Sequence, residues 1–213
     1  VAVLDSIRNA ILWLQQAERE LQDLQNTEPT QTSTNVDDRF AWGAKVSPTF
    51  KERVKWIADN LTDESYQGNP CSDLMACMAW ESAETFRSDI KNAAGSGATG
   101  LIQFMPKTAI TLGTTVAQLA KMTSEDQLKY VYLYFKPYAG RLRNLGDLYM
   151  AILWPGGVGQ PDNYVLFDRA KTPTTFRQNA GLDVNKDGLV TRSECVVKVN
   201  EKLAKGLQEG YVG

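Results

Sequence analysis

The chain has 213 residues, 43% hydrophobic and 23% charged, with a formal net charge of −2. That is the composition of a globular protein with material for one good core and some appendages, and it gives no electrostatic case for nucleic acid or an anionic membrane as partner. The sequence contains no histidine, which removes Ser-His-Asp and Cys-His nucleophile systems and most catalytic zinc sites while leaving carboxylate chemistry open.

The longest uninterrupted apolar run, residues 148–154, is far short of the ~20 residues that a membrane span requires. Cys71, Cys77 and Cys195 do not read as a disulfide framework. Buried thiols are expected, with a Cys71–Cys77 bridge as the alternative.

Leu4, Ile7, Ile11, Leu14 and Leu21 recur at helical spacing, so residues 3–25 read as an amphipathic helix. Such a helix either packs back on the domain or docks the chain to a larger assembly. Asp5 and Arg8 interrupt what would be the apolar stretch of a secretory signal. From Asn26 the chain turns polar and Thr-rich, which reads as a linker running to a main domain that begins near Phe40.

Ser47-Pro48 is a helix start, with Phe50, Val54, Ile57 and Leu61 as its apolar stripe. A second helix is expected after Ser72, carrying Leu74, Met75, Met78 and Ala79 and reaching Glu81 near its end. The Gly-rich run from Gly95 to Gly100 reads as irregular, and Pro106 opens another helical stretch. Ser124 with Gln127 makes a capping box for a helix holding Leu128, Val131, Tyr132 and Phe135. Gly146-Asp147 precedes a short helix that Pro155-Gly156-Gly157 ends. Strand signals are confined to residues 100–104 and 164–167, so the fold class is mainly α.

The densest group of unusual residues runs from Trp80-Glu81-Ser82 through Asn92 to the segment 95–106. Glu81 follows a wholly uncharged stretch and sits beside an indole, the setting that raises a carboxyl's pKa and suits it to general acid work. The glycines beyond it allow close backbone approach to a ligand, and Gln103 supplies a donor and an acceptor for acetamido or hydroxyl groups. On these arguments alone, a solvated glutamate at a helix end remains the plainer reading.

Residues 79–109 resemble the lytic transglycosylase family with the lysozyme-like fold. Glu81-Ser82 matches its helix-ending Glu-Ser. Ser96, then Gly100-Leu101-Ile102-Gln103, then Pro106-Lys107-Thr108-Ala109, match its second motif, with Ile where the family has Met. The family's Ala-Tyr-Asn-x-Gly is absent; 151–157 read Ala-Ile-Leu-Trp-Pro-Gly-Gly instead. Tyr149 or Trp154 is then the candidate aromatic wall of the cleft, and either reads equally well as a core residue.

The resemblance implies cleavage of the β-1,4 bond between N-acetylmuramic acid and N-acetylglucosamine in peptidoglycan, with Glu81 the catalytic acid/base and a 1,6-anhydromuramoyl product. It implies substrate contacts from Ser82, Ser96, Gly100, Gln103 and Tyr149. Hydrolysis of the lysozyme type needs a second carboxylate, for which Glu84 and Asp89 are the candidates. A catalytically silent peptidoglycan-binding or virion module, and a calcium-regulated binding protein, are the competing classes. The implied place of action is the bacterial cell wall in the periplasm; a helical stem and linker with no secretory signal fit a phage virion component, a lysis protein or a secreted effector.

Residues 183–194 meet the EF-hand loop position by position. Asp183, Asn185 and Asp187 stand at the first, third and fifth places and Gly188 at the turn. Leu189 offers its carbonyl, Thr191 stands ninth, and Glu194 closes the loop. Val196, Val199, Leu203 and Leu207 mark an exiting helix, whereas Pro173 to Gly181 reads as a poor entering one. A single loop of this kind points to structural Ca²⁺. The organisation expected is an N-terminal helix over 1–25, a linker over 26–39, a lysozyme-like catalytic domain over 40–170 and a calcium-binding segment over 171–213 packed on it.

Overall fold

Capping side chains and prolines fix where the longer helices start, and the interior they bury fixes their faces. A computed structural model describes residues 39–213; the helix expected over 3–25 and the linker after it lie outside them. Helix α1, Pro48–Leu61, begins where Ser47 accepts the Phe50 N–H at 3.1 Å, with Pro48 at a position that needs no donor. Phe50, Val54, Ile57 and Leu61 form its buried stripe. Helix α2, Pro70–Glu81, starts earlier than the sequence suggests because Asn69, not Ser72, is the cap, accepting the Ser72 N–H at 2.8 Å. Every residue from 72 to 79 is buried, so α2 is the central rod of the fold.

Short helices α3 (Pro106–Thr111) and α4 (Val116–Leu119) follow the glycine-rich segment. Helix α5, Ser124–Phe135, packs on α1. The Ser124–Gln127 capping box expected for α5 does not form. Thr123 caps the helix by accepting the Asp126 N–H at 3.1 Å, and Ser124 donates to the Phe86 carbonyl at 2.6 Å. Gln127 turns inward instead. Fully buried, it accepts the Leu101 N–H at 2.7 Å and donates to the carbonyls of Ser88 and Leu119, each at 3.0 Å. Those groups belong to enclosed loops that need partners, and the carboxamide supplies three at once.

Helix α6, Leu145–Leu153, is capped by Asn144 and gives way to a 3₁₀ turn, Pro155–Gly157. Strand β1 (Val165–Asp168) pairs antiparallel with β2 (Leu189–Thr191). Helix α7, Pro173–Asn179, lies between them in sequence, and α8, Arg192–Gly206, follows β2. The segment read as a poor helix is therefore helical: Pro173 opens it and Phe176 anchors it in the interior. The strand expected over 100–104 is a turn, tied by isolated bridges of Thr99 to Lys91 and Phe104.

The fold is mainly α, with eight α-helices and two short strands among the described residues. Asp38–Gly213 is one compact unit, so residues 171–213 are not a separate body from what precedes them. Helix α8 lies along α2, and α1 and α6 also pack on that rod. Cys77 and Cys195 are buried thiols, and no Cys71–Cys77 bridge forms. No helix among the described residues is long and apolar enough to cross a membrane.

Gln127→Leu strips partners from one buried N–H and two buried carbonyls, and is expected to cost roughly 2–4 kcal/mol of unfolding free energy in urea. A loss under about 1 kcal/mol would mean that water replaces the carboxamide.

Candidate functional site

The wholly buried run of α2 stops at half-buried Trp80 and Glu81. The chain then reverses sharply, with Ala83, Glu84 and Phe86 all in the left-handed region at φ of 52°, 65° and 50°. Non-glycine residues avoid that conformation, and three within four positions is a concentration of backbone strain beside one side chain. Hydrogen bonds hold the turn shut. Ser82 N–H reaches Met78 O at 2.9 Å and Glu84 N–H reaches Ala79 O at 2.7 Å. Ser82 Oγ accepts the Phe86 N–H at 3.0 Å. Ser82 is fully buried, so its hydroxyl shapes this turn and presents no surface to a ligand.

Glu81 retains some open surface as a residue, but its carboxyl is hemmed in by protein. Burial pushes that carboxyl from 4.5 up to about 7. Among the described residues no cation pairs with it and no donor hydrogen-bonds to it, so nothing offsets the burial. At neutral pH it is poised between acid and base.

Two phenols stand close enough for a charge on Glu81 to be felt at each. Burial, then the Glu81 charge, raises the Tyr149 hydroxyl; burial, then Tyr138 and Glu81, raises that of Tyr134. Both stay protonated. Trp80 Nε1 donates to Tyr149 Oη at 3.1 Å, which ties the indole beside Glu81 to the middle of α6. Tyr134 donates to the Ala151 carbonyl at 2.7 Å and sets its ring edge-on to Phe104, with 6.3 Å between centroids. It therefore joins α6 to Phe104, which follows the glycine-rich segment. Sequence reasoning missed Tyr134. The signal available was the aromatic density of Tyr130, Tyr132, Tyr134, Phe135 and Tyr138, where only the residues on the apolar stripe attract attention.

The second cluster is built mostly from backbone. Gly100, at φ 89°, donates its N–H to Ile90 O at 2.8 Å. A side chain there would overlap the Gln127 carboxamide, so glycine is required by close packing at this point. Gln103, also left-handed at φ 52°, donates through Nε2 to Ile90 O at 3.2 Å and Gly100 O at 3.1 Å. Its donor is thus spent on the loop. Ser96 is exposed and accepts the Ala98 N–H at 3.2 Å; among the described residues no hydrogen bond links it to Glu81.

Both candidate second carboxylates are engaged elsewhere. Lys202 and Lys205 grip Glu84 and hold its carboxyl below the usual range. Arg87 pairs with Asp89 through two bonds of 2.8 and 2.7 Å and does the same.

Around residues 183–194 the backbone takes the left-handed turns at Lys186 (φ 62°) and Gly188 (φ 88°). Gly188 N–H donates to Asp183 Oδ2 at 3.0 Å, whereas Asp183 Oδ1 is buried with no hydrogen-bond donor. Asn185 Nδ2 donates to Asp187 Oδ2 at 3.0 Å. Glu194 turns its carboxylate to the N–H groups of Val184, Asn185 and Thr191 at 3.1, 3.3 and 2.9 Å. Although partial burial works the other way, those bonds hold Glu194 below the usual carboxylate range. So arranged, no three acidic or thiol side chains among the described residues converge as a metal-binding group. The orphaned, buried Asp183 oxygen is nonetheless an acceptor that a hard cation would satisfy.

No protein-family model matches this chain, and the comparison with curated proteins finds no match.

The raised Glu81 carboxyl has a consequence for stability. Because its folded value (about 7) exceeds its ordinary value (4.5), its contribution is fully present below pH 4.5 and is lost as the pH rises through about 7. Glu81→Gln does not titrate. Its melting temperature should therefore gain on the wild type between pH 5 and 8; a constant difference across that range would show a carboxyl with an ordinary pKa.

Proposed function

We propose that this chain is a lytic transglycosylase that cleaves the β-1,4 bond between N-acetylmuramic acid and N-acetylglucosamine in peptidoglycan, with Glu81 as its one acid/base. The observation that carries the reading is a solitary carboxyl at the end of a buried helix, raised to about 7 with no cation or donor on it. The likeness of residues 79–109 to that family supplies the substrate. The engagement of Glu84 and Asp89 by cations favours a one-carboxylate course over lysozyme-type hydrolysis.

In that course protonated Glu81 gives its proton to the glycosidic oxygen as the C1–O bond of the muramoyl sugar breaks. The substrate's acetamido group shares the developing positive charge. Ionised Glu81 then takes the proton from the C6 hydroxyl, whose oxygen closes on C1 to form the 1,6-anhydro ring. No water is consumed, and Glu81 ends protonated as it began. Burial of the acid, with the phenols of Tyr149 and Tyr134 near enough to feel its charge, places its pKa close to neutrality, which serves both proton transfers.

The sequence pattern of residues 183–194 supports a structural Ca²⁺ site, with Asp183, Asn185, Asp187, Thr191, Glu194 and the Leu189 carbonyl as the oxygen set; Glu194 and Asp187 would exchange their present hydrogen bonds for the ion. When bound, the ion would neutralise the loop's carboxylates and satisfy the orphaned Asp183 oxygen.

On purified cell wall, Glu81→Gln should lose at least about 10²-fold in turnover while remaining folded, and wild-type digests should carry 1,6-anhydromuramoyl ends. Mass spectrometry showing only reducing muramic acid would point to a hydrolase; no release by the wild type would point to a binding module. Separately, calcium added to chelated protein should raise the melting temperature, since a hundredfold excess over Kd is worth about 2.7 kcal/mol. Glu194→Gln should abolish most of that rise. An unchanged melting temperature would remove the calcium reading.

A further inference from the structure

We infer that Glu84 is a positioning residue for Glu81, pegged in place by Lys202 and Lys205 so that α8 holds the turn on which the acid/base stands. This rests on the reading of Glu81 as the acid/base.

The left-handed turn after Glu81 is the starting point. Glycine or asparagine would adopt φ near 60° at little cost, yet positions 83, 84 and 86 carry Ala, Glu and Phe. Something outside the turn has to hold them there. Phe86 is buried against the rings of Phe50 and Trp42, at centroid distances of 6.2 and 5.9 Å, which secures the far end. The near end depends on Glu84. Its N–H donates to Ala79 O at 2.7 Å, bridging back across Glu81 to the last buried turn of α2. Its two carboxylate oxygens are taken separately, Oε1 by Lys202 and Oε2 by Lys205, the latter at 2.6 Å.

The clamp is more enclosed than an ordinary surface ion pair. Lys202 and Glu84 each keep only 24% of their side-chain surface. Lys205 also lies over the rings of Trp42 and Tyr211, at 5.6 and 5.3 Å. The two lysines are three residues apart on one helix, so they share a face and close on Glu84 together. That helix packs along α2, the element that carries Glu81.

Glu84 does not itself touch the reacting atoms. Its carboxylate points to α8, and its effect passes through the Ala79–Glu84 bond that sets how Glu81 leaves the helix. Releasing the clamp lets the turn relax toward ordinary backbone angles and admits water to the Glu81 carboxyl. Tyr134, Tyr149 and Cys77, the ionisable groups around that carboxyl, are left in place. The direct charge effects of losing the two lysines and of losing the Glu84 charge are opposite in sign, so a fall in the Glu81 titration shared by both variants reports the turn.

The test compares the full chain with Lys202→Met/Lys205→Met and with Lys202→Arg/Lys205→Arg. Glu81 is titrated by isotope-edited infrared spectroscopy, with Glu81→Gln as the blank, and turnover on cell wall is followed across pH. The Met pair should bring the Glu81 titration down toward the ordinary glutamate range and lower kcat about tenfold, with KM changed by no more than about twofold. The Arg pair should keep wild-type values. Glu84→Gln, which retains the backbone bond but not the ion pairs, should reproduce the Met pair and serves if that variant fails to fold. An unmoved Glu81 titration in folded Met-pair or Glu84→Gln protein overturns the proposal, as does an Arg pair as impaired as the Met pair. Because the titration needs no turnover, a wild type that cleaves nothing defeats the transglycosylase reading while the positioning role is still decided.

Discussion

A helix buried along most of its length leaves the carbonyls of its last turn short of water, and that constraint organises the rest of this molecule. Residues 72–79 of α2 are buried, so the carbonyls of its last turn need donors from the chain that follows. Ser82, Ala83 and Glu84 supply them by folding back on Met78, Trp80 and Ala79. The fold-back forces left-handed angles on residues that resist them and leaves Glu81 where burial meets opening. The rod perturbs a carboxyl at each end. Asp73, in its first turn, is raised to about 6 by burial, but Tyr66 donates to it at 2.8 Å and makes it a structural acid. Glu81 has no such donor. Two buried acids on one helix are thus told apart by their hydrogen bonds.

What was legible in the sequence was local. Ser47-Pro48, the apolar stripe of α1 and the uncharged approach to Glu81 each depend on residues a few positions apart, and the structure follows them. The glycine-rich segment is irregular, as its composition requires. What was not legible came from distant chain. Gln127 looks like half of a capping box, but the buried N–H of Leu101 claims its side chain from 26 residues away. Lys202 is separated from Glu84 by 118 residues, and no pattern in sequence pairs them. Ser82 and Gly100 belong to motifs, and motif membership suggests contact with a ligand. Their positions show instead a hydroxyl closing a turn and a missing side chain making room for a carboxamide.

The C-terminal segment is bound to the rest by charge as well as by packing. Arg192, nearly sealed at the start of α8, reaches Asp147 at 2.9 Å, Asp162 at 2.6 Å and the cap Asn144 at 3.1 Å. Its guanidinium packs against Gly146, which explains a glycine in the first turn of α6: a Cβ there would come within 2.9 Å of the guanidinium carbon. A buried pair of this kind is a poor source of net stability but a strong source of register, because any other alignment strands a charge. Register matters here, since α6 carries Tyr149 to the acid and α8 carries the lysines to Glu84.

Strand β2, at the seventh to ninth positions of the loop over 183–194, finds its partner in β1, which follows no loop of this pattern among the described residues. In paired loops, that ladder is the channel through which occupancy of one site is communicated to the other. Here the ladder leads only into the interior, where Leu166, Phe167 and Val190 are buried. Any cation the loop accepts would therefore fill it one protein molecule at a time along a simple hyperbola, with a Hill coefficient of about one and no threshold concentration. Such a loop would answer steadily to abundance; among the described residues no second loop of this pattern stands beside it to sharpen it into a trigger.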